Sequence, residues 1–191
     1  MSKPRLNVVI ASTRPGRVGP QIAKWFEQAT SAHGKFDVQL VDLAEFNLPV
    51  YDEPNHPRMQ QYQHEHTKKW SESVKSGDAF VFVVPEYNFN APPSLVNALN
   101  YLYNEWNYKP AGFVSYAFVS GGLRSVESIK PLLNALKVVP LTEQVVVPMF
   151  PQHLQEGKFV PNDMQKDSAN QMLEELLRWT NALSTLRQPA A

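Results

Sequence analysis

An unbroken apolar run at residues 79–84 constrains the fold of this chain more than any other segment. Such a run is typical of a strand buried on both faces, as in parallel sheets with helices on either side. It ends in Pro85-Glu86-Tyr87-Asn88, after which a proline-rich bend leads into a helix predicted over residues 94–106. Polar and aromatic groups between a buried strand and a helix N-terminus lie where open α/β sheets bind ligands. Because its prolines restrict the backbone, the bend predicts a rigid cradle for a flat ligand.

The rest of the chain alternates between predicted strands and predicted helices. The strands are predicted at residues 6–10, 36–43, 79–84, 111–119 and 141–147. The helices are predicted from Pro20 to a stop at Gly34, then over residues 58–76, 94–106, 123–136 and 162–186, the last capped by Asp163. This order implies an α/β fold with a parallel sheet between two helical layers. With no internal repeat or boundary, we expect residues 1–191 to form one domain with a frayed tail at 188–191.

Composition excludes several classes of function. The 18 basic and 18 acidic residues give zero net charge, which disfavours non-specific nucleic-acid binding and a strongly acidic electron carrier that docks by charge. The absence of cysteine excludes disulfides, thiolate metal sites, iron–sulfur clusters and a cysteine nucleophile. No apolar run reaches membrane-spanning length, and a strand predicted directly after residue 5 leaves no room for a signal peptide. The sequence therefore predicts a cytoplasmic protein without membrane contact.

The loop after the first strand, Ser12-Thr13-Arg14-Pro15-Gly16-Arg17, carries donors suited to a phosphate. It precedes a helix N-terminus, whose free N–H groups attract anions, and two guanidinium groups add to them. An ordinary polar turn with surface arginines explains the loop equally well. No Gly-Lys-Ser/Thr and no GxGxxG motif occurs, which argues against a Walker loop and a Rossmann-type nucleotide site.

A third loop, Ser120-Gly121-Gly122, also follows a predicted strand. Paired glycines let the backbone approach a ligand closely, although a sharp turn needs them too. The second loop likewise has a simpler interpretation, a turn whose aromatic residues only pack. The three loops follow strands of one parallel sheet, so they meet at the edge where such folds bind ligands.

Other conspicuous side chains give weaker signals. His64 and His66, two apart on a predicted helix, are expected to point to different faces, which favours a solvated surface over a shared metal. No metal site and no Gly-x-Ser-x-Gly hydrolase motif is predicted. A stretch of four aromatic residues is consistent with core packing, but some of them exceed what one helix face needs, which favours a protein–protein contact. The four are Tyr101, Tyr103, Trp106 and Tyr108.

Several of these motifs together resemble the NADPH-dependent FMN reductase family, which includes quinone, azo-dye and chromate reductases. The resemblance covers roughly residues 7–147. It rests on Ser-Thr-Arg at 12–14, Asp-Glu-Pro at 52–54, Pro-Glu-Tyr-Asn at 85–88, Leu95 with Asn97-Ala98, Glu105-Trp106, Lys109-Pro110 and Gly121-Gly122. The Pro-Glu-Tyr-Asn stretch with the following Pro-x-x-Leu-x-Asn-Ala is the most specific part.

The resemblance implies a flavodoxin-like three-layer sandwich whose five-stranded parallel sheet has the order 2-1-3-4-5. It implies that the FMN phosphate is held by Ser12, Arg14, Arg17, Val18 and Gly19. It further implies that the isoalloxazine edge is held by Pro85, Glu86, Tyr87 and Asn88, and its other side by Ser120, Gly121 and Gly122. NADPH or NADH, as co-substrate, would stack on the exposed face and pass hydride to flavin N5. No side chain then has to act as an acid or base.

Some residues depart from the family pattern. Ala11 stands where glycine is usual, Val96 and Asn100 replace a common Lys and a common Asp, and Phe118 follows Ala117 where glycine is usual. Phe118 is expected to narrow the site or tilt the flavin.

The predicted function is an FMN-dependent NAD(P)H oxidoreductase that reduces quinone-like small acceptors by ping-pong hydride transfer, as a homodimer or homotetramer. An FMN-binding electron carrier or flavin-responsive interaction module is the alternative. A fold that has lost its cofactor is a third.

Overall fold

The structure is a computed structural model that describes residues 2–187. Six parallel strands build its central sheet: β1 (Arg5–Ile10), β2 (Asp37–Asp42), β3 (Ala79–Pro85), β4 (Pro110–Tyr116), β5 (Val139–Pro140) and β6 (Val145–Val147). Their order is β2-β1-β3-β4-β5, and β6 pairs with β4 further along the same side. The predicted strand order 2-1-3-4-5 is confirmed, with β5 and β6 sharing the fifth position.

Helices cover both faces of this sheet. They are α1 (Gly19–His33), α2 (Leu43–Phe46), α3 (Glu65–Ser76), α4 (Pro93–Asn100), α5 (Leu123–Ala135) and α6 (Asp163–Ser184). Alternate residues of β3 face opposite layers: Phe80 and Phe82 pack towards α3, α4 and α5, while Val81 and Val83 pack towards α1 and α6. Because both faces of β3 are buried, its sequence is apolar throughout. The three-layer α/β sandwich is thereby confirmed.

The sheet register brings the three polar loops to one edge. Ile10, the last residue of β1, pairs with Asp42 of β2 and Val83 of β3. Pro85, the last residue of β3, pairs with Tyr116, the last residue of β4. The loops that follow β1, β3 and β4 therefore start side by side at the carboxyl edge of the sheet.

The last two strands predicted along the chain are longer than the strands observed. β4 ends at Tyr116, and the segment predicted as one strand over residues 141–147 forms ladder pairs only at Val145–Val147. The short β5 ends at Pro140, and the Leu141 N–H after it still donates to the Ala111 carbonyl of β4 at 2.8 Å. A second small sheet, the hairpin β7 (Leu154–Gln155) and β8 (Lys158–Phe159), was not predicted.

The helix predicted over residues 94–106 is wrong in its second half. α4 ends at Asn100, and a separate 3₁₀ turn spans Asn104–Trp106. The chain turns inward between them, so that Tyr101 and Trp106 are fully buried, with Trp106 against Trp70. These aromatic side chains therefore belong to the core, and for both of them the predicted protein–protein contact is wrong.

The predicted start of α3 and the predicted cap of α6 are also wrong. α3 begins at Glu65, not residue 58, because Glu53 holds the preceding chain by accepting hydrogen bonds from the N–H groups of Gln63 (2.8 Å) and His64 (3.0 Å). α6 is capped by Asn162, not Asp163, in a capping box with Gln165. Gly34 ends α1 with φ of 77°, as predicted. The predicted tail at 188–191 lies outside the described residues.

Candidate cofactor site

The first loop joins β1 to α1 through a close contact between Ser12 and Gly19. Ser12 is buried, and the Tyr116 hydroxyl lies 3.3 Å from its Oγ. A Cβ on Gly19 would lie 2.6 Å from Ser12 Oγ and 3.0 Å from the Tyr116 hydroxyl. Glycine therefore lets the start of α1 approach Ser12. Burial raises the pKa of Tyr116 to about 12, so its hydroxyl remains protonated at neutral pH.

The N-terminus of α1 has an uncompensated positive end. Val18 occupies the N-cap position, no side chain caps the helix, and its first turn has no acidic residue. Arg17 donates to Asp42 at the end of β2, and its Nε is buried with no hydrogen-bond partner among the described residues. Arg14 is exposed, and within residues 2–187 its side chain makes no hydrogen bond or ion pair. This combination of donors and positive charge suits an anion.

The second loop is a tight hairpin turn. Tyr87 and Asn90 exchange backbone hydrogen bonds of 2.9 and 3.0 Å. The two residues between them, Asn88 and Phe89, have φ of 50° and 67°. Positive φ at both central positions defines a type I′ geometry, which Asn tolerates well and Phe adopts at some cost. Phe89 is held at the tip of this turn with 65% of its surface exposed.

The third loop needs both of its glycines. Gly121 and Gly122 have φ of 60° and 89°. A Cβ on Gly121 would lie 2.4 Å from a Val146 methyl, and one on Gly122 would lie 2.8 Å from the Tyr116 nitrogen. The loop is therefore packed tightly against β4 and β6. Phe118, just before it, has 60% of its surface exposed at the same edge.

Glu86 links the second and third loops. Its carboxylate accepts hydrogen bonds from the Ser120 hydroxyl (2.7 Å) and from the backbone N–H of Arg124 (3.2 Å), and it pairs with the Arg124 guanidinium at 2.7 Å. Burial raises the pKa of this carboxyl, but the hydrogen bonds from Ser120 and Arg124 lower it more. The net pKa lies below its usual value, and Glu86 is ionised at neutral pH.

A groove of about 990 Å³ opens beside the first and second loops. It runs between α4 and the chain at residues 47–51, with Thr13, Asn90 and Ser94 on the loop side. The Asn97 amide fixes its outer wall, because Nδ2 donates to the Pro49 carbonyl (2.6 Å) and Oδ1 accepts from the Tyr51 N–H (3.1 Å).

All twelve residues predicted for the cofactor lie at one edge of the sheet, in these loops or, for Pro85 and Gly19, at the element ends that border them. Sequence analysis missed the neighbours that position them: Tyr116 beside Ser12, Asp42 beside Arg17, and Arg124 beside Glu86. One signal was present for Arg124. A cation in the first turn of a helix opposes the helix dipole, which indicates a carboxylate partner nearby.

His64 and His66 differ from their prediction. Their rings stack with centroids 5.2 Å apart, and their Nε2 atoms lie 4.0 and 3.0 Å from the Asp52 carboxylate. His64 precedes α3 in an extended conformation, so helical spacing does not apply to the pair. Residues 2–187 contain no group of three or more His, Cys, Asp or Glu side chains arranged to hold a metal ion.

Comparison with known proteins identifies the family of this chain. A family model described as NADPH-dependent FMN reductase matches residues 4–152. The chain belongs to the NADPH-dependent FMN reductase family. The NAD(P)H-dependent FMN reductase ntnL of Nectria sp. is 34% identical over 150 residues, which cover 75% of each chain. The NAD(P)H-dependent FMN reductase LOT6 of Saccharomyces cerevisiae is 30% identical over 177 residues, covering 80% of this chain and 92% of LOT6.

Solved structures place the reductase among flavodoxin-like folds. The flavoenzyme NAD(P)H:(acceptor) oxidoreductase FerB from Paracoccus denitrificans superposes with a TM-score of 0.73, covering 94% of this chain and 98% of FerB. Its sequence identity is 17%, so the likeness shows the fold alone. As a member of the FMN reductase family, the chain is an oxidoreductase that uses FMN with NADPH or NADH.

The residues at the carboxyl edge fit FMN. The uncapped start of α1, the partnerless Nε of Arg17 and the exposed Arg14 suit a phosphate. Gly121 and Gly122 are buried, and a Cβ on either would collide with protein, so these glycines let the third loop pack tightly against β4 and β6 at this edge. Within residues 2–187, no helix combines the length and apolar character needed to cross a bilayer.

Proposed function

We propose that this reductase binds FMN across its three carboxyl-edge loops and transfers electrons from NADPH or NADH to quinone-like acceptors at one open face. The observation that carries the proposal is that the uncapped, positively charged start of α1 lies at the same sheet edge as the second and third loops. When bound, FMN supplies two-electron chemistry between a pyridine nucleotide and an acceptor.

We assign binding of the FMN phosphate to the first loop. Ser12 and the backbone from Val18 to Gly19 present donors, and Arg14 supplies a charge that no described protein group neutralises. Arg17 contributes differently, because one nitrogen of its guanidinium already donates to Asp42 and its Nε is buried without a partner among the described residues. We therefore assign the larger share of phosphate binding to Arg14.

The ring end is assigned to the second and third loops. Pro85, Tyr87 and Asn88 form one wall, and the backbone of Ser120, Gly121 and Gly122 forms the other. Glu86 lies between them, but its carboxylate is engaged within the protein. Phe89 and Phe118 flank the opening with exposed rings, which favours planar aromatic acceptors such as quinones.

The shared face makes a kinetic prediction. If donor and acceptor occupy one place in turn, the nicotinamide must leave before the quinone enters. Steady-state rates with NADPH and a benzoquinone are then expected to give parallel double-reciprocal lines, the pattern of a two-step cycle. Intersecting lines would show that donor and acceptor bind together and would refute the shared face.

A second candidate function is an FMN-binding electron carrier or flavin-responsive module. The exposed rings of Phe89 and Phe118 support it, because exposed aromatic residues are also common at protein–protein contacts. A carrier would be reduced by NADPH only very slowly without a partner reductase. Holoprotein that oxidises NADPH with a small quinone at a steady rate excludes this candidate.

We further propose that the chain assembles as a homodimer or homotetramer through the outer face of α4. Val96 on this helix and Val50 across the groove are exposed, and two-fold contacts are the commonest oligomeric form. Light scattering at micromolar concentration that finds only the mass of one chain would contradict this proposal. A cytoplasmic location is also proposed, because metabolism supplies both pyridine nucleotides there; cell fractionation tests it.

A further inference from the structure

Glu86 was predicted to contact the flavin, but its surroundings indicate a different role. We propose that Glu86 is a positioning residue that fixes the distance between the second and third loops through Ser120 and Arg124. In this role it sets the width of the acceptor opening without its carboxylate touching the cofactor. The inference rests on the proposed FMN site between these loops. It adds a residue that holds the two loops in place without contacting FMN.

The carboxylate already has a full set of partners. One oxygen accepts from the Ser120 hydroxyl at 2.7 Å and from the Arg124 N–H at 3.2 Å. The other accepts from Arg124 Nε at 2.7 Å. These contacts join the end of β3 to the third loop and the adjoining first turn of α5, which lie 34 and 38 residues further along the chain. A single side chain thus ties together both walls of the proposed ring site.

Burial makes these contacts obligatory. The Glu86 side chain is 5% exposed, whereas the Arg124 side chain is 50% exposed. An ionised carboxylate with so little access to water is unfavourable unless hydrogen bonds and an opposite charge compensate it. It also lies at the N-terminus of α5, which has no side-chain cap of its own, so the helix dipole adds to its stabilisation. Loss of either partner would therefore displace the loops.

Arg124 also contacts the second loop, through the ring of Phe89. Its guanidinium carbon lies 3.7 Å from the centre of the Phe89 ring. Phe89 is at the tip of the type I′ turn, one of the two exposed rings beside the opening. The contacts run from Glu86 to Arg124 to Phe89 and back along the loop to Glu86, which makes a closed clamp across one side of the site. The clamp is defined by these residues together with Ser120.

A direct flavin contact and a clamp predict different couplings. If the Glu86 carboxylate binds FMN itself, its loss and the loss of Arg124 act independently, and their effects on affinity multiply. If Glu86 acts through Arg124, removing either one opens the same clamp, and the second change adds little.

The test is a double-mutant cycle of Glu86→Gln and Arg124→Met with two readouts. The first is the FMN dissociation constant, followed by quenching of flavin fluorescence. We expect each single variant to weaken FMN binding by about tenfold, and the double variant to be within about twofold of the weaker single. A double variant weakened by the product of the two factors would overturn the clamp and support direct contact.

The second readout is hydrogen–deuterium exchange of the apoprotein, which does not depend on FMN. Glu86→Gln is expected to raise exchange at residues 86–91 and 117–124 together, and to leave residues 11–19 unchanged. Unchanged exchange in both loops would overturn the inference. If the wild-type protein fails to quench flavin fluorescence, the proposed function fails, while this exchange result still decides the clamp.

A matched control is present one turn further along α5. Glu127 and Lys130 form an ion pair of 2.6 Å three residues apart on the helix, with Glu127 exposed. Glu127→Gln and Lys130→Met make the same chemical changes outside the two loops. Both are expected to leave FMN affinity and loop exchange unchanged. An effect as large as that of Glu86→Gln would show that charge loss alone is responsible, and would overturn the clamp.

Discussion

The two edges of the parallel sheet are built from the same strands, yet they differ in whether particular charged side chains have partners within the protein. At the amino edge, Asp78 and Lys109 have such partners. Asp78 accepts from the Arg5 N–H (2.9 Å) and from Arg187 (3.3 Å), and Lys109 donates to the Val74 carbonyl at the end of α3 (2.9 Å). At the carboxyl edge, Arg14 has no partner among residues 2–187, and Phe89 and Phe118 are exposed.

The contrast separates stability from function within one fold. Groups that are satisfied inside the protein stabilise it, whereas free donors and exposed rings gain their partners only from a ligand. Changes at the amino edge should therefore alter the free energy of unfolding, and changes at the carboxyl edge should alter FMN affinity.

The largest expected effect tests the amino edge through Lys109. Burial, followed by the charge of Arg187, lowers the pKa of Lys109 from 10.5 to about 8. Between these pH values the unfolded state binds the proton and the folded state does not, so the contribution of Lys109 to stability rises with pH. The rise is roughly 3 kcal/mol at most. Denaturant unfolding of the wild type and of Lys109→Met between pH 7.5 and 10.5 measures it.

The wild type should gain stability relative to Lys109→Met as pH increases through this window. FMN affinity should be equal in the two proteins, since Lys109 lies at the edge opposite the proposed site. If the unfolding free energies of the wild type and Lys109→Met changed with pH in the same way, the lowered pKa assigned to Lys109 would be wrong.

The next effect tests the carboxyl edge through Arg14. A charge-assisted hydrogen bond to the FMN phosphate contributes about 1.5–3 kcal/mol, so Arg14→Ala is expected to raise the FMN dissociation constant by about 10- to 150-fold. Its unfolding free energy should stay within about 0.5 kcal/mol of the wild type, because the side chain is exposed and unpaired among the described residues. Fluorescence titration and denaturant unfolding measure the two quantities.

Arg187→Ala is the matched control, since Arg187 donates to the Tyr108 carbonyl and to Asp78 at the amino edge. It should lower stability and leave FMN affinity unchanged. If Arg14→Ala binds FMN as tightly as the wild type, the phosphate assignment is wrong.

The smallest effect compares one glycine at each edge. A Cβ on Gly77 would lie 2.8 Å from the Asn7 amide nitrogen, which is buried and donates to the Ser73 carbonyl. Gly77→Ala is therefore expected to lower the unfolding free energy by about 1 kcal/mol. Gly19→Ala, whose Cβ would press on Ser12, should weaken FMN binding more than it lowers stability. If the two substitutions changed the unfolding free energy equally and also changed FMN affinity equally, the proposed division of stability and FMN binding between the two edges would be wrong.

The strand–helix alternation and the place of the three candidate loops at one sheet edge could be predicted because they depend on local sequence. The apolar run of β3 is stable only where both of its faces are buried, between two helical layers. The polar residues that follow it must then lie at the carboxyl edge of the sheet. The order β2-β1-β3-β4-β5 followed from the family resemblance, and the structure confirms it.

Contacts between distant residues could not be predicted in this way. The pairing of Glu86 with Arg124 joins side chains 38 residues apart, and that of Arg17 with Asp42 joins side chains 25 apart. Neither depends on any local periodicity. The burial of Tyr101 and Trp106 was missed for a related reason. Their helical pattern continues past Asn100, but the chain leaves the helix there, and Trp106 packs against Trp70 of α3.

The divided fifth strand has a consequence for behaviour in a crowded solution. A long outer strand offers unpaired N–H and carbonyl groups to other chains, which promotes aggregation. Here that side of the sheet ends in β5 and β6, of two and three residues, and Pro140, the last residue of β5, has no N–H to donate. The opposite border, β2, carries Asp37 and Asp42. Neither border provides a long, flat, uncharged template onto which a foreign strand could add.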